Sequence, residues 1–312
     1  MTITQLKYIL SVAEYQNFTI AAEHSFVTQP TLSMQIQKLE DQLDVQIFNR
    51  SKKPIQLTEI GKKIVEQAKI IVNESNRIND IVDQQKGFIG GEFKIAIIPT
   101  IMPTLLPMFL KTFNKKYPKV NLQIEELTTE EIINKLNDGH IDVAIAATPL
   151  ENEKIKERPL YYEPFLGYIP ENHKLFKKQK LCVDDLDVDE LLLLEDGHCF
   201  KNSILNICNS GTNNSKAFRL ESGSFDTLIK LSKEGMGMTL LPYLHTLDIH
   251  ESDKKYLREF EKPVPAREVS LLYHKSQLKM QLIEALKTTI DSVIRGAISF
   301  NDVKIISPIY KK

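Results

Sequence analysis

Cys199 and Cys208 stand nine residues apart, and His198 immediately precedes the first of them. A thiol reacts as its thiolate, so the local setting of Cys199 decides what it can do. Residues 191–194 read as a strand, Gly197 as a turn and 200–206 as a helix. Cys199 then opens that helix, where unpaired amide donors and the macrodipole favour negative charge. His198 can donate a hydrogen bond beside it. Such a thiolate can attack a peroxide oxygen, become a sulfenic acid and condense with a second thiol. Geometry makes Cys208 an unusual partner, because nine helical residues hold the two Cα atoms ~13 Å apart. A disulfide needs about 5.5 Å, so the bond requires local refolding. The same residues are also compatible with ordinary packing thiols, as most cytosolic cysteines are. Cys182 reads as a bystander, and without a CxxC, a Cys/His cluster or a GxGxxG the chain implies neither a metal nor a cofactor.

The elements that must position these residues fall into two blocks. In residues 1–57, Leu6, Ile9, Leu10 and Ala13 mark one helical face, and Ile20, Ala21 and Ala22 begin a second helix. Leu32, Ile36, Leu39 and Leu43 mark a third, stepping by 4, 3 and 4. Residues 18–37 thus read as helix, tight turn, helix, with Thr28 as N-cap and Pro30 in the first turn. The apolar stripe faces inward and leaves Thr28, Gln29, Pro30, Thr31, Ser33, Met34 and Lys38 on the outer surface of the third helix or at its start. These short polar side chains suit phosphate and base-edge contacts, and Arg50, Lys52 and Lys53 form a basic turn that reads as a wing. Charge adds nothing, because residues 1–60 hold five basic groups (Lys7, Lys38, Arg50, Lys52, Lys53) against six acidic ones (Glu14, Glu23, Glu40, Asp41, Asp44, Glu59). DNA affinity would rest on local placement and on pairing of two copies.

From Thr58 a helical pattern runs to about residue 86. Its positions Ile60, Ile64, Ala68, Ile71, Ser75, Ile78 and Val82 step by 4, 4, 3, 4, 3 and 4, close to a coiled-coil seam. Beyond Gly87 and Gly90-Gly91 the pattern turns to strands at 93–98, 120–125 and 142–147 alternating with helices at 102–115 and 130–137. That is βαβαβ, which predicts a mostly parallel sheet. A second series covers 191–194, 200–206, 218–221, 225–233 and 238–241, and elements at 268–273 and 277–295 return to the first half. The predicted architecture is two α/β lobes with a cleft between them. The longest uncharged run, 95–110, carries Pro99, Pro103 and Pro107, which exclude a spanning helix. Lys7 and Glu14 fall where a leader needs an apolar core, and three cysteines are too few for a disulfide scaffold, so a reducing cytoplasm is expected.

Phe18-Thr19-Ile20-Ala21-Ala22, Val27-Thr28-Gln29-Pro30-Thr31-Leu32-Ser33, Ile36-Gln37-Lys38-Leu39-Glu40, Phe48-Asn49-Arg50 and Leu57-Thr58-Glu59-Ile60-Gly61 follow one another in order. Together they resemble the winged helix-turn-helix of LysR-type transcriptional regulators. Leu136-Asn137-Asp138-Gly139-His140-Ile141-Asp142 and Gly235-Met236-Gly237-Met238-Thr239-Leu240-Leu241-Pro242 resemble that family's regulatory domain, so the likeness covers about 1–295. It implies a DNA-binding domain at 1–58, a linker and dimerisation helix at 59–88, and a periplasmic-binding-protein-like regulatory domain at 89–300. Lobe I would be 89–162 with 268–300, lobe II 163–267, and 301–312 a tail. It also implies a linker-helix homodimer, a homotetramer on double-stranded promoter DNA, and RNA polymerase as a partner.

Leu193-Leu194-Glu195-Asp196-Gly197-His198-Cys199, with Cys208, is similar to the redox segment of the OxyR group of hydrogen peroxide sensors within that family. The resemblance implies that Cys199 is the peroxidatic cysteine, Cys208 the resolving one and His198 the neighbouring hydrogen-bond partner. It places Thr100 and Thr129 in the peroxide pocket and Arg267 as the cation favouring the thiolate. It further implies activation of antioxidant genes, resetting by glutaredoxin or thioredoxin, and no enzyme activity. Pro99-Thr100-Ile101-Met102-Pro103 departs from the glycine-containing loop of the familiar members, which changes access to the sulfur. Two other readings stay open: a LysR-type regulator with an organic effector in the cleft, and a thiol peroxidase, in which the head domain would have no role.

Overall fold

The computed structural model describes residues 1–85, 89–194, 199–208, 223–298 and 303–309. The chain divides into two compact units, Met1–Phe88 and Ile89–Lys312.

The first unit is built from α1 (Ile3–Tyr15), α2 (Phe18–His24), α3 (Gln29–Leu43), a small antiparallel pair β1 (Phe48–Asn49) and β2 (Gln56–Leu57), and α4 (Glu59–Gln85). Each of the first three helices starts on a side-chain cap. Thr2 and Gln5 form a capping box, the Asn17 carboxamide oxygen accepts from the Thr19 and Ile20 amides, and the Thr28 hydroxyl accepts from the Thr31 amide. Leu6, Ile9, Val12, Ala21, Ala22, Leu32, Ile36 and Leu39 close the core. Two positions differ from the periodic reading. Ile20 and Leu43 are exposed, because the first lies on the outer side of the short α2 and the second in the last turn of α3, beyond the core.

Helix α4 is held to the head by Val65, Ala68 and Val72, all buried, while Ile60, Ile78 and Val82 on the predicted seam are exposed. Of the predicted seam only Ala68 is buried, because the face that meets the head is the offset stripe of Val65, Ala68 and Val72, and Ile78, at 63% exposure, and Val82 stand exposed beyond it. The start of α4 is pinned by Thr58, whose hydroxyl accepts from the Gly61 amide at 2.9 Å and donates to the Gln46 carbonyl at 2.6 Å. Gly61 lies so close to the strand end that a Cβ would meet the Ile47 carbonyl oxygen at 2.1 Å.

In the second unit β3 (Gly91–Ile97), α5 (Met102–Lys116), β4 (Val120–Glu126), α6 (Thr129–Asn137) and β5 (Val143–Thr148) form the expected βαβαβ, with β3 parallel to both β4 and β5. The rest of the sheet is mainly antiparallel. β6 (Ile155–Tyr168) pairs with β10 (Val264–His274), which also pairs antiparallel with β5. β10 therefore lies between β5 and β6 and runs against both, so the later strand of the chain is inserted beside the first βαβαβ unit. β6 then continues beside β8 (Thr239–Pro242) and β9 (Leu257–Phe260), and β7 (Lys180–Leu181) runs parallel to β9. Along β6 the core changes: Tyr161 belongs to a cluster with Phe93, Phe109, Leu271 and Leu286, whereas Phe165 belongs to one with Phe200, Leu228, Leu240 and Phe260.

Helices α7 (Cys199–Ile207), α8 (Phe225–Lys233), α9 (Tyr243–Thr246) and α10 (Met280–Ile294) fill the remaining faces. Residues 191–194 are not a strand but an extended segment with one bridge from Leu191 to Met238. Its four leucines are all buried, without the alternation a half-buried strand would show. The strand expected at 218–221 lies outside the described residues. Residues expected to stand apart as a tail instead supply β11 (Val303–Ile305), parallel to β10.

Replacing Gly61 by alanine should destabilise the head by about 1–3 kcal/mol, the usual cost of overpacking, although alanine is the better helix former by about 1 kcal/mol. Thermal unfolding checks this, and an unchanged or raised midpoint would show that the strand end yields.

Candidate functional site

In the head the outer surface of α3 carries Gln29, Pro30, Thr31, Met34 and Lys38 exposed, with the cap Thr28 exposed beside them and Ser33 half-buried. Thr28 and Thr31 share a hydroxyl contact at 2.8 Å, and Lys52 and Lys53 are exposed in the turn between β1 and β2. Arg50 behaves differently from its neighbours. Its Nη2 donates to Glu40 Oε2 at 2.7 Å and its guanidinium lies 5.3 Å from the centre of the Phe18 ring. Glu40 is buried on α3, and its Oε1 accepts from the Ile47 and Phe48 amides at 2.7 and 3.2 Å. Arg50, expected among the DNA contacts, thus also ties the basic turn to α3, through Glu40, a partner the sequence did not mark.

The second site is a buried ionic cluster. Arg267 on β10 and Glu163 on β6 are directly opposed in the ladder and both are 1% exposed. Arg267 Nε and Nη2 donate to Glu163 Oε2 at 2.9 and 2.7 Å. Its Nη1 and Nη2 donate to the Thr100 hydroxyl and carbonyl at 2.9 and 3.0 Å. Glu163 Oε1 accepts from the Leu244 amide at 2.9 Å. The Phe200 ring, in the first turn of α7, lies 5.4 Å from the guanidinium carbon, within cation–π range. Edge-to-face contacts continue from Phe200 to Phe165 and Phe225, and His245 packs on Phe225. Burial holds the His245 imidazole below its ordinary pKa, in spite of Asp226.

Thr100 follows β3, and Thr129 is the first residue of α6, just after β4; the Leu127 amide bonds the Ile97 carbonyl, which holds these two strand ends together. The Thr129 hydroxyl oxygen is buried with no hydrogen-bond partner among the described residues. Thr100 and Arg267 are therefore in contact, and Cys199 enters as the first residue of α7, beside Phe200. The Cys199 side chain and His198 lie outside the described residues. Cys208 immediately follows α7. It is 7% exposed and its thiol is free. Burial, with a smaller contribution from Asp187, pushes that thiol up to about 11. Cys182 donates to Glu261 Oε2 at 3.1 Å, and this hydrogen bond to a carboxylate raises its pKa too. Among the described residues no group of three or more His, Cys, Asp or Glu is placed to hold a metal, and no helix is long and apolar enough to cross a membrane.

Residues 3–62 match the bacterial regulatory helix-turn-helix protein, LysR family, and residues 86–294 match the LysR substrate binding domain. The chain belongs to the LysR family. It is 33% identical over 297 residues to a hydrogen peroxide-inducible genes activator of Pectobacterium carotovorum subsp. carotovorum, covering 95% of this chain and 98% of that one. It is 33% identical over 296 residues to the DNA-binding transcriptional dual regulator OxyR of Escherichia coli K12, covering 93% and 96%. Among solved structures, a full-length cysteine-to-aspartate variant of OxyR from Pseudomonas aeruginosa superposes with a TM-score of 0.75 at 34% identity, covering 93% of this chain and 98% of that one. A cysteine-to-serine variant of Corynebacterium glutamicum OxyR with H2O2 bound gives 0.63 at 28% identity, covering 95% and 93%.

In this LysR-family chain two features were not read from the sequence, Glu163 as the counter-ion and the seating of Phe200 on Arg267. A signal for Glu163 was there, since it is the one charged residue in the run 159–170, and a lone carboxylate in an apolar strand needs a buried partner. Replacing Glu163 by glutamine should leave Arg267 buried without a counter-charge and cost ~3 kcal/mol of stability, read from urea unfolding; an unchanged midpoint would show that the pair is replaceable. Cys208 should alkylate ~100-fold more slowly than an ordinary thiol at pH 8, because its thiolate fraction is smaller by that factor. Its rate should climb with pH towards about 11, and mass-spectrometric timing of iodoacetamide labelling checks both.

Proposed function

We propose that this chain is a hydrogen peroxide-responsive, DNA-binding transcriptional regulator that switches by oxidation of Cys199 and Cys208. The observation that carries the reading is α7 itself. One short helix begins at Cys199 and ends just before Cys208, and its first turn lies against the Arg267–Thr100 cluster. The names of its relatives point the same way.

The chemistry follows from the groups present. The Cys199 thiolate attacks one peroxide oxygen, the O–O bond breaks, and the leaving hydroxide takes a proton to become water, which leaves a sulfenic acid. The Cys208 sulfur then attacks the Cys199 sulfur, the S–O bond breaks, and a second water departs. Two thiols are thereby oxidised by two electrons and one peroxide is reduced to two waters. Because Thr100 accepts from Arg267, its own O–H is left to donate elsewhere, and the Thr129 hydroxyl is likewise available, so both can orient a peroxide. His198 would donate beside the sulfur, and Arg267 would favour the thiolate. The helical rise keeps Cys199 and Cys208 ~13 Å apart, so closing the disulfide dismantles α7 and the packing of Phe200.

In the head, Thr28, Gln29, Pro30, Thr31, Ser33, Met34 and Lys38 would face promoter DNA, with Lys52 and Lys53 on phosphates. Two copies would pair along α4 through its exposed Ile78 and Val82 and assemble further into a tetramer. Refolding at α7 would change the grip on DNA and recruit RNA polymerase to antioxidant genes, until thioredoxin or glutaredoxin reduces the bond.

Stoichiometric peroxide should convert Cys199 and Cys208 into one intramolecular disulfide in a non-reduced peptide map. Cys199→Ser should lose the transcriptional response and still retard promoter DNA. A map with both thiols free after peroxide would sink the reading, and sustained peroxide turnover without DNA retardation would favour a thiol peroxidase.

A further inference from the structure

The family matches end at residue 294, yet residues 303–309 are built into the regulatory unit at two points. At one end β11 pairs in parallel with β10, Val303 opposite Val264 and Ile305 opposite Ala266, and the Ile306 amide donates to the Ala266 carbonyl at 2.8 Å. Ala266 is the residue before Arg267. At the other end Asn206, in the last turn of α7, donates from Nδ2 to the Ser307 carbonyl at 2.9 Å and to the Ile309 carbonyl at 2.7 Å. Between them Ile306 is buried in the same apolar cluster as Phe200, Ile204, Ile207 and Cys208. The Ser307 hydroxyl accepts from the Ile309 amide at 3.1 Å, which curls the strap so that both carbonyls face the one carboxamide.

We infer that Asn206 and the strap 303–309 form a latch that holds α7 in its thiol conformation and so sets how readily Cys199 and Cys208 are oxidised. The inference rests on the redox reading of α7. Asn206 lies two residues before Cys208, so the last turn that it anchors is the turn that must open before the Cys208 sulfur can reach Cys199. The amide supplies both of its protons to carbonyls of a segment fixed elsewhere to β10. Opening α7 therefore breaks two hydrogen bonds and uncovers Ile306, costs paid only on the way to the disulfide. Asn206 is a positioning residue: it acts by fixing the backbone that carries Cys208.

The test compares the full-length protein with Asn206→Asp, which keeps shape but loses both donors, and with a chain ending at residue 302. Equilibrated against glutathione redox buffers, each variant should favour the Cys199–Cys208 disulfide by about tenfold, or about 30 mV for a two-electron couple. Combining the two should shift it no further than the larger single effect, since the truncation already removes both carbonyls that Asn206 binds. A parental equilibrium constant in either variant, or effects that add, would overturn the latch. Amide hydrogen exchange on the reduced proteins reads the latch without redox chemistry: α7 should exchange about tenfold faster in both variants, with α8 and α10 unchanged. If peroxide yields no Cys199–Cys208 bond in the parent, the sensor reading fails, and the exchange measurement still decides the latch, with unchanged α7 protection counting against it.

Discussion

The regulatory unit depends on the Arg267–Glu163 ion pair. Two ions this deeply buried are tolerable only when their hydrogen-bonding groups are met by fixed partners, and those partners come from separate parts of the chain. Thr100 binds the guanidinium from the end of β3, the Leu244 amide binds the carboxylate from the start of α9, and Phe200 of α7 lies over the cation. The pair sits where β6 passes from one apolar core to the other, between Tyr161 and Phe165. One cross-strand contact thus registers both cores and places the first turn of the cysteine-bearing helix. An uncharged pair at these positions could pack as well, but it would not demand the same partners in the same directions.

The head uses the same device at smaller scale. Glu40 on α3 is buried, and it accepts two amides from the strand that opens the wing together with the Arg50 guanidinium. A two-stranded ribbon this short has little cohesion of its own, so its position against α3 is set by a carboxylate that cannot move without losing three hydrogen bonds. The recognition surface and the wing then move as one body. That rigidity explains why a head with no net positive charge can still present DNA with a defined pattern: placement, not charge density, carries the information.

Much of this was legible in the sequence because it follows from periodicity. The caps at Thr28 and Thr58, the inward stripe Leu32, Ile36 and Leu39, and the βαβαβ from 91 to 148 are local signals and appear where spacing puts them. Failures come from tertiary context. β6 carries Pro159, Pro164 and Gly167 and changes cores midway, so neither alternation nor an unbroken apolar run marks it. Residues 191–194 look like a buried strand, yet they make one bridge, from Leu191 to Met238, and the Leu192 carbonyl accepts from the Thr239 hydroxyl instead of a ladder partner. Arg50 and Glu163 show the limit for the sites: their residue types were visible, but the buried partner that each one takes, Glu40 for the first and Arg267 for the second, was not.

The redox element, on the proposed mechanism, is controlled by folding more than by thiol chemistry. A nine-residue helix is marginal by itself in water, and α7 persists because Phe200, Ile204 and Ile207 are buried. Cys208 sits at its end with its thiol pushed up to about 11, so almost none is thiolate at neutral pH while the helix is intact. Once α7 opens, the burial that suppressed the thiolate is lost, and the nucleophile appears together with the freedom to move. The rate of bond closure is then the frequency of local opening multiplied by an ordinary thiol reaction. Substitutions that loosen α7 would speed resolution without touching either sulfur, and those that tighten it would leave the first oxidation product waiting.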